Sequence, residues 1–177
     1  EQLKVHSITR VYYAIVFGNL REDEGTVHAP IGRHPTDRKK MSIHSKQGRD
    51  AITHYCVLER FGAYTFIECR LETGRTHQIR IHMKHLGYPL IGDYLYNPDM
   101  RHIGRQALHS HKLSFCHPIT GEMMSFTAPL PDDMQAALNA IKLFASHAFP
   151  DNDTDHNGHC HIRKCISKQH INIHQNT

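Results

Sequence analysis

Residues 71–83 (LETGRTHQIRIHM) gather the side chains best suited to chemistry. Arg75 and Arg80 carry planar guanidinium forks that match a carboxylate or a phosphate. His77 and Gln78 add hydrogen-bonding groups between them. Gly74 ahead of a helix start leaves backbone N–H groups that favour an anion at the positive end of the helix dipole. A second cationic segment, residues 32–50 (GRHPTDRKKMSIHSKQGRD), sets Arg33, Arg38, Lys39, Lys40, Lys46 and Arg49 against Asp37 and Asp50. With almost nothing apolar in it, this segment reads as an exposed loop. Such a loop contacts phosphates with an affinity that falls steeply with salt, while the bland alternative is a solvated surface. The phosphate reading is favoured by His77, Arg80 and Lys84, which recur at i, i+3 and i+7 as a cationic stripe on one helix. Two cationic elements on one scaffold make a track for a nucleic-acid backbone.

The whole chain limits what that scaffold can be. Its 177 residues suit one domain or a domain plus a tail, and 21 Lys and Arg against 17 Asp and Glu give a mildly basic balance of +4. At 39% hydrophobic and 21% charged it can build a core without a disulfide framework. No apolar run approaches a membrane span, and residues 1–15 lack the pattern of a secretory leader. Five Cys at irregular spacings read as reduced thiols of a cytoplasmic protein, Cys56 and Cys69 included.

The positioning elements follow from periodicity. Residues 9–18 are a β-branched and aromatic strand, and residues 26–31 a short second one. Residues 51–61 and 64–72 form a hairpin across Gly62 and Ala63. In residues 76–86 the apolar Ile79, Met83 and Leu86 mark one helix face, with Thr76 as the expected cap and Gly87 as the expected left-handed stop. Residues 94–106 are polar and irregular. A second hairpin joins residues 107–116 to 122–128. A last helix, capped by Asp132 or Asp133, shows Met134, Leu138, Ile141 and Phe144 in helical recurrence. The expected fold class is α+β, a mixed, largely antiparallel sheet with flanking helices carried on one side. Residues 1–147 form the ordered unit and residues 148–177 a polar, His-rich tail without periodicity. His156, His159, Cys160, His161 and Cys165 in the tail are soft ligands, but they lack a second well-spaced pair, so no metal site is assigned.

As a string, residues 71–83 followed by 86–93 (LGYPLIGD) resemble the signature of the RluA-type pseudouridine synthases. The resemblance continues in Arg10, Tyr12 and Ala14, in residues 30–41 (PIGRHPTDRKKM), in Ala51, Thr53 and Tyr55, and in residues 112–115, 118–121 and 128–129. It covers about residues 5–145, and several separated motifs agree in order. It implies isomerisation of uridine in ribosomal or transfer RNA, with no cofactor and no metal. A uridine is flipped from its stack, an aspartate enables glycosidic cleavage, and the base is rejoined through carbon. Tyr12 would stack on the flipped base and help remove the proton from the new carbon linkage. Arg80 would pair with the aspartate and hold it ionised. Arg75, His77 and Gln78 would shape the pocket, and Arg33, Arg38, Lys39, Lys40 and Lys84 would contact RNA.

One departure stands out. The family's aspartate lies in a His-Arg-Leu-Asp segment, and none of the ten aspartates here has that context. Asp93 belongs to the turn motif and is expected to be structural. The chain therefore reads as the C-terminal portion of a catalytic domain, inactive alone and monomeric once complete. The rival readings are a non-catalytic RNA-binding module and a metal-storing His-rich protein.

Overall fold

The structure, a computed structural model, describes Gln2 and residues 8–97 and 99–148. The β-branched and aromatic run becomes β1 (Thr9–Phe17). It is followed by β2 (Glu24–His28), β3 (Gly32–Arg33), β4 (Met41–Ser42), β5 (Ile52–Arg60), β6 (Tyr64–Leu71), α1 (Gln78–His85), β7 (Leu108–Cys116), β8 (Met123–Thr127) and α2 (Asp132–Ala148). Six strands form one sheet in the order β2-β5-β6-β1-β7-β8, with every neighbouring pair antiparallel. β3 and β4 pair separately as a small hairpin inside the basic segment. The α+β class and both long hairpins are as the sequence indicates.

The helices lie on both faces of the sheet rather than on one side. Ala14, Ile15 and Val16 on the central strand are all fully buried, so both faces need a cover. Ala14 and Val16 meet Ile79 and Met83 of α1. Ile15, pointing the other way, meets Met134, Ala137, Leu138 and Ile141 of α2. Phe144, expected on the α2 core face, is 63% exposed. Ala145 packs instead, because buried positions 134, 138, 141 and 145 track the helical period more closely. At the start of α2, Asp133 accepts the Met134 N–H at 2.8 Å and takes both prongs of Arg105 at 2.7 and 2.8 Å.

The sheet register also separates Cys56 from Cys69. Cys69 pairs with Tyr55, so it shares that face and is buried with a free thiol, while Cys56 points to the opposite face. Burial pushes the Cys69 thiol far up. Cys116 is also free.

A buried polar chain locks α1 onto the sheet. Thr73 donates to Gln78 Oε1 at 2.8 Å, and Gln78 Nε2 donates to the Ile52 carbonyl at 2.9 Å and to Thr53 Oγ1 at 3.0 Å. Thr53 Oγ1 lies 2.9 Å from His82 Nδ1, and His82 Nε2 donates to the Ala29 carbonyl at 3.0 Å. With His82 neutral, Nδ1 accepts from the Thr53 hydroxyl and Nε2 donates, so each donor in this chain has an acceptor. Burial holds the His82 imidazole below its ordinary range. The unfolded chain then binds the proton first as pH falls, so His82 stabilises the fold above about pH 6.5 and that stability is lost below it. Urea midpoints are expected to drop between about pH 7.5 and about 5.5. His82→Gln, which can keep one donor and one acceptor, should flatten that drop. An identical pH slope in both proteins would remove His82 as the cause.

Candidate active site

Tyr12 sits midway along β1, flanked by Cys69 of β6 and Ser110 of β7, and is half-buried on the face that carries α1. The β1–β7 register shifts between Val11 and Tyr12, an irregularity of the kind that re-aims a side chain. Arg10, two residues earlier, donates from Nη2 to the Glu72 carbonyl at 3.0 Å. Its guanidinium lies so close to Gly74 that a side chain there would strike it. Arg10 Nε is buried and has no partner among the described residues.

At the start of α1 the structure departs from the expected cap. Thr76 does not cap the helix. The capping position is His77, held at φ 57° in the left-handed region with no side-chain cap bond. A non-glycine residue there costs on the order of 1–2 kcal/mol and marks a site whose surroundings enforce it. The enforcing contact is Tyr96, whose hydroxyl lies 2.9 Å from His77 Nδ1 and accepts the Met41 N–H at 2.8 Å. Burial lowers the His77 imidazole below its ordinary range, helped by the Arg80 charge. Gly87, at φ 87°, closes the helix as its sequence position indicates.

Arg80 is 7% exposed. Its Nε donates to Asp93 Oδ2 at 2.7 Å and its Nη2 to Asp93 Oδ1 at 2.6 Å. Asp93 is fully buried and also accepts the Leu95 N–H at 3.3 Å. Burial alone would ease the proton off Arg80, but the bonds and charge of Asp93 outweigh it and raise the guanidinium. The guanidinium carbon lies 4.9 Å from the centre of the Tyr96 ring. Beside the acid outside this sequence that Arg80 is expected to serve, two of its three nitrogens serve Asp93. Nη1 has no partner among the described residues. Asp93 owes its position to Gly92, at φ 67°, where any Cβ would overlap the Arg105 carbonyl oxygen.

Other residues sort clearly. Gln78 is 3% exposed with both ends of its amide committed internally, its Oε1 also accepting the Arg75 N–H at 2.9 Å. The amide expected to contact RNA is thus committed to protein partners that hold the start of α1 on the sheet. Arg75 is half-buried, and its Nε donates to the Asp50 carbonyl at 2.9 Å, tying α1 to the end of the basic segment. Arg33, Arg38 and Lys39 are exposed on the β3–β4 hairpin, and Lys40 lies 3.5 Å from Asp37. Lys84 is exposed on α1, with its ammonium 5.5 Å from the centre of the Tyr96 ring. Tyr96, which joins the two cationic elements, lies in the irregular 94–106 segment, where no period marks it. The His-rich tail lies outside the described residues.

A sequence model of the RNA pseudouridylate synthase family matches residues 1–85. An uncharacterised RNA pseudouridine synthase of Bacillus subtilis, YlyB, is 49% identical over 142 residues, spanning 80% of this chain and 46% of that protein. The ribosomal large subunit pseudouridine synthase D of Xanthomonas campestris is 47% identical over 156 residues, with the same two coverages. Among solved structures, human RNA pseudouridylate synthase domain containing 1 superposes with a TM-score of 0.63 at 26% identity, over 86% of this chain and 71% of that one. Human RNA pseudouridylate synthase domain containing 4 shares the fold, with a TM-score of 0.64 at 22% identity over 80% and 65%. The chain spans about half the length of the curated relatives it matches.

Proposed function

Because the chain belongs to the RluA-type family of RNA pseudouridine synthases, we propose that it supplies the RNA-gripping surface and two active-site side chains of a uridine isomerase. The observation that carries this is the Arg80 guanidinium, pinned on one edge by Asp93 while Nη1 remains for a second acceptor. A fork held in that way is pre-oriented, so little side-chain entropy is lost when it grips another oxyanion. In this reading that oxyanion is the catalytic carboxylate, which Arg80 keeps ionised. Asp93 cannot be that carboxylate, since it is fully buried. Asp23, Asp37, Asp50, Asp99 and Asp133 are bonded to Arg60, Lys40, His28, Arg101 and Arg105. The target uridine leaves its stack at a cost of a few kcal/mol and lies against Tyr12, which helps take the proton from the new carbon linkage.

The substrate is RNA: ribosomal RNA, as the name of the Xanthomonas relative suggests, or transfer RNA. The proposal includes a cytoplasmic, monomeric enzyme working without cofactor or metal. No described helix is long and apolar enough to cross a membrane.

Tritium release from RNA labelled at uridine C5 tests the reading. The 177-residue chain alone should give background. A fusion carrying the aspartate-bearing half of the Bacillus relative should release tritium, and Tyr12→Phe should silence it. Release by the unfused chain would overturn the missing carboxylate. A fusion that binds RNA yet never releases tritium would favour a purely RNA-binding module.

The basic hairpin carries its own prediction. Lys39 has no carboxylate partner among the described residues, whereas Lys40 is partly offset by Asp37. Lys39→Ala should weaken binding similarly across RNA sequences and lower the slope of log affinity against log salt by about 1. An unchanged slope would remove Lys39 from the phosphate contacts.

A further inference from the structure

We propose that the cleft between the β3–β4 hairpin and α1 is a subsite for one RNA nucleotide other than the uridine being isomerised, its phosphate held by Lys40 and Lys84. This rests on the reading above and adds a second point of grip. The cleft has a volume of about 350 Å³, at the small end of the range for ligand sites and of the size of one nucleotide rather than of a longer segment. Its hairpin wall presents His34, Lys40 and His44, and its helix wall presents Lys84 and His85. Among the described residues, no carboxylate lines it.

The floor decides the class of ligand. Met41, Ile43, Ile81 and Tyr96 make it apolar. A bare phosphate has no use for such a floor, whereas a nucleotide offers a flat base and a sugar edge to it beside its phosphate. An acidic peptide would satisfy the lysines but leave that surface wet. The two walls are held at fixed separation, because the Tyr96 hydroxyl bonds Met41 from the hairpin and His77 from the start of α1. A preformed cleft spends little free energy on closing. Neither Tyr12 nor Arg80 lines it, so its occupant is not the reacting base.

Uridine 5′-monophosphate titrated into the 177-residue chain tests this, followed through the histidine imidazole NMR signals. The subsite predicts saturable shifts at His34, His44 and His85, binding at least about fivefold tighter than inorganic phosphate, and a loss of about fivefold in Lys84→Ala. Lys84 is exposed, so that variant keeps its fold. Absence of saturation overturns the subsite, and so does equal affinity for inorganic phosphate, which would make it a bare anion site. Tighter binding of an oligoglutamate peptide overturns it in favour of a protein partner. If the nucleotide fails to bind while the fusion still releases tritium, the subsite falls and the isomerase reading stands. If it binds with the predicted selectivity while the fusion releases none, the subsite is supported and the isomerase reading falls.

Discussion

Asp93→Ala is expected to destabilise the fold by about 3–5 kcal/mol, the usual cost of leaving a buried charge without its partner. Arg80 is 7% exposed, and both of its bonded nitrogens lose their acceptors in this variant. The Leu95 N–H loses one as well. The Tyr96 ring, 4.9 Å from the guanidinium carbon, returns only part of that loss. Against a total stability on the order of 5–15 kcal/mol the variant should be marginal. Removing the charge should help: Asp93→Ala combined with Arg80→Met should be more stable than Asp93→Ala alone, because replacing both members of a buried pair by apolar groups is often close to neutral. Urea unfolding of the two singles and the double measures the coupling. Strict additivity would mean that the pair holds nothing together. The double variant should remain inactive in the fusion even where it is folded, which separates the stabilising use of Arg80 from its proposed chemical use.

That pair also shows where the sequence could and could not be read. Strands and hairpins were legible because β-branched and aromatic residues alternate over their length, and α1 because Ile79 and Met83 lie one turn apart. The Arg80–Asp93 pair spans 13 residues across a turn, a separation that no helical or strand period marks. The family resemblance pointed Arg80 at a different acid and left Asp93 as a turn residue. The geometry gives both a role, since the turn built on Gly92 is what brings Asp93 to Arg80. Thr76 fits the usual cap chemistry, but tertiary contacts decided otherwise: Gln78 takes the Arg75 N–H and Tyr96 fixes His77. Gln78 looked like a recognition residue because its neighbours are cationic. It is interior because Thr53 and Thr73 supply partners from β5 and from the turn after β6. Tyr96 was invisible for a simpler reason: its segment has no period, and its importance comes entirely from what lies across space from it.

Arg80→Lys should cost the fusion enzyme about 10²–10³ in kcat, with RNA affinity changed by no more than a few fold. Lysine keeps the charge, so Asp93 retains a partner and the fold should stay within about 1–2 kcal/mol of the parent. What lysine cannot do is face two ways. A guanidinium offers a planar fork to Asp93 and a further N–H edge to a second acceptor, whereas an ammonium on a flexible stem is a point charge. Drawn onto the fully buried Asp93, it would leave the second carboxylate without its donor, and that carboxylate would be less ionised and less well aimed. The loss should therefore fall on the chemical step, visible in single-turnover tritium release at saturating RNA. A variant that keeps kcat but raises KM would make Arg80 an RNA contact. A variant that keeps both would leave Arg80 with Asp93 alone, a structural pair and nothing more.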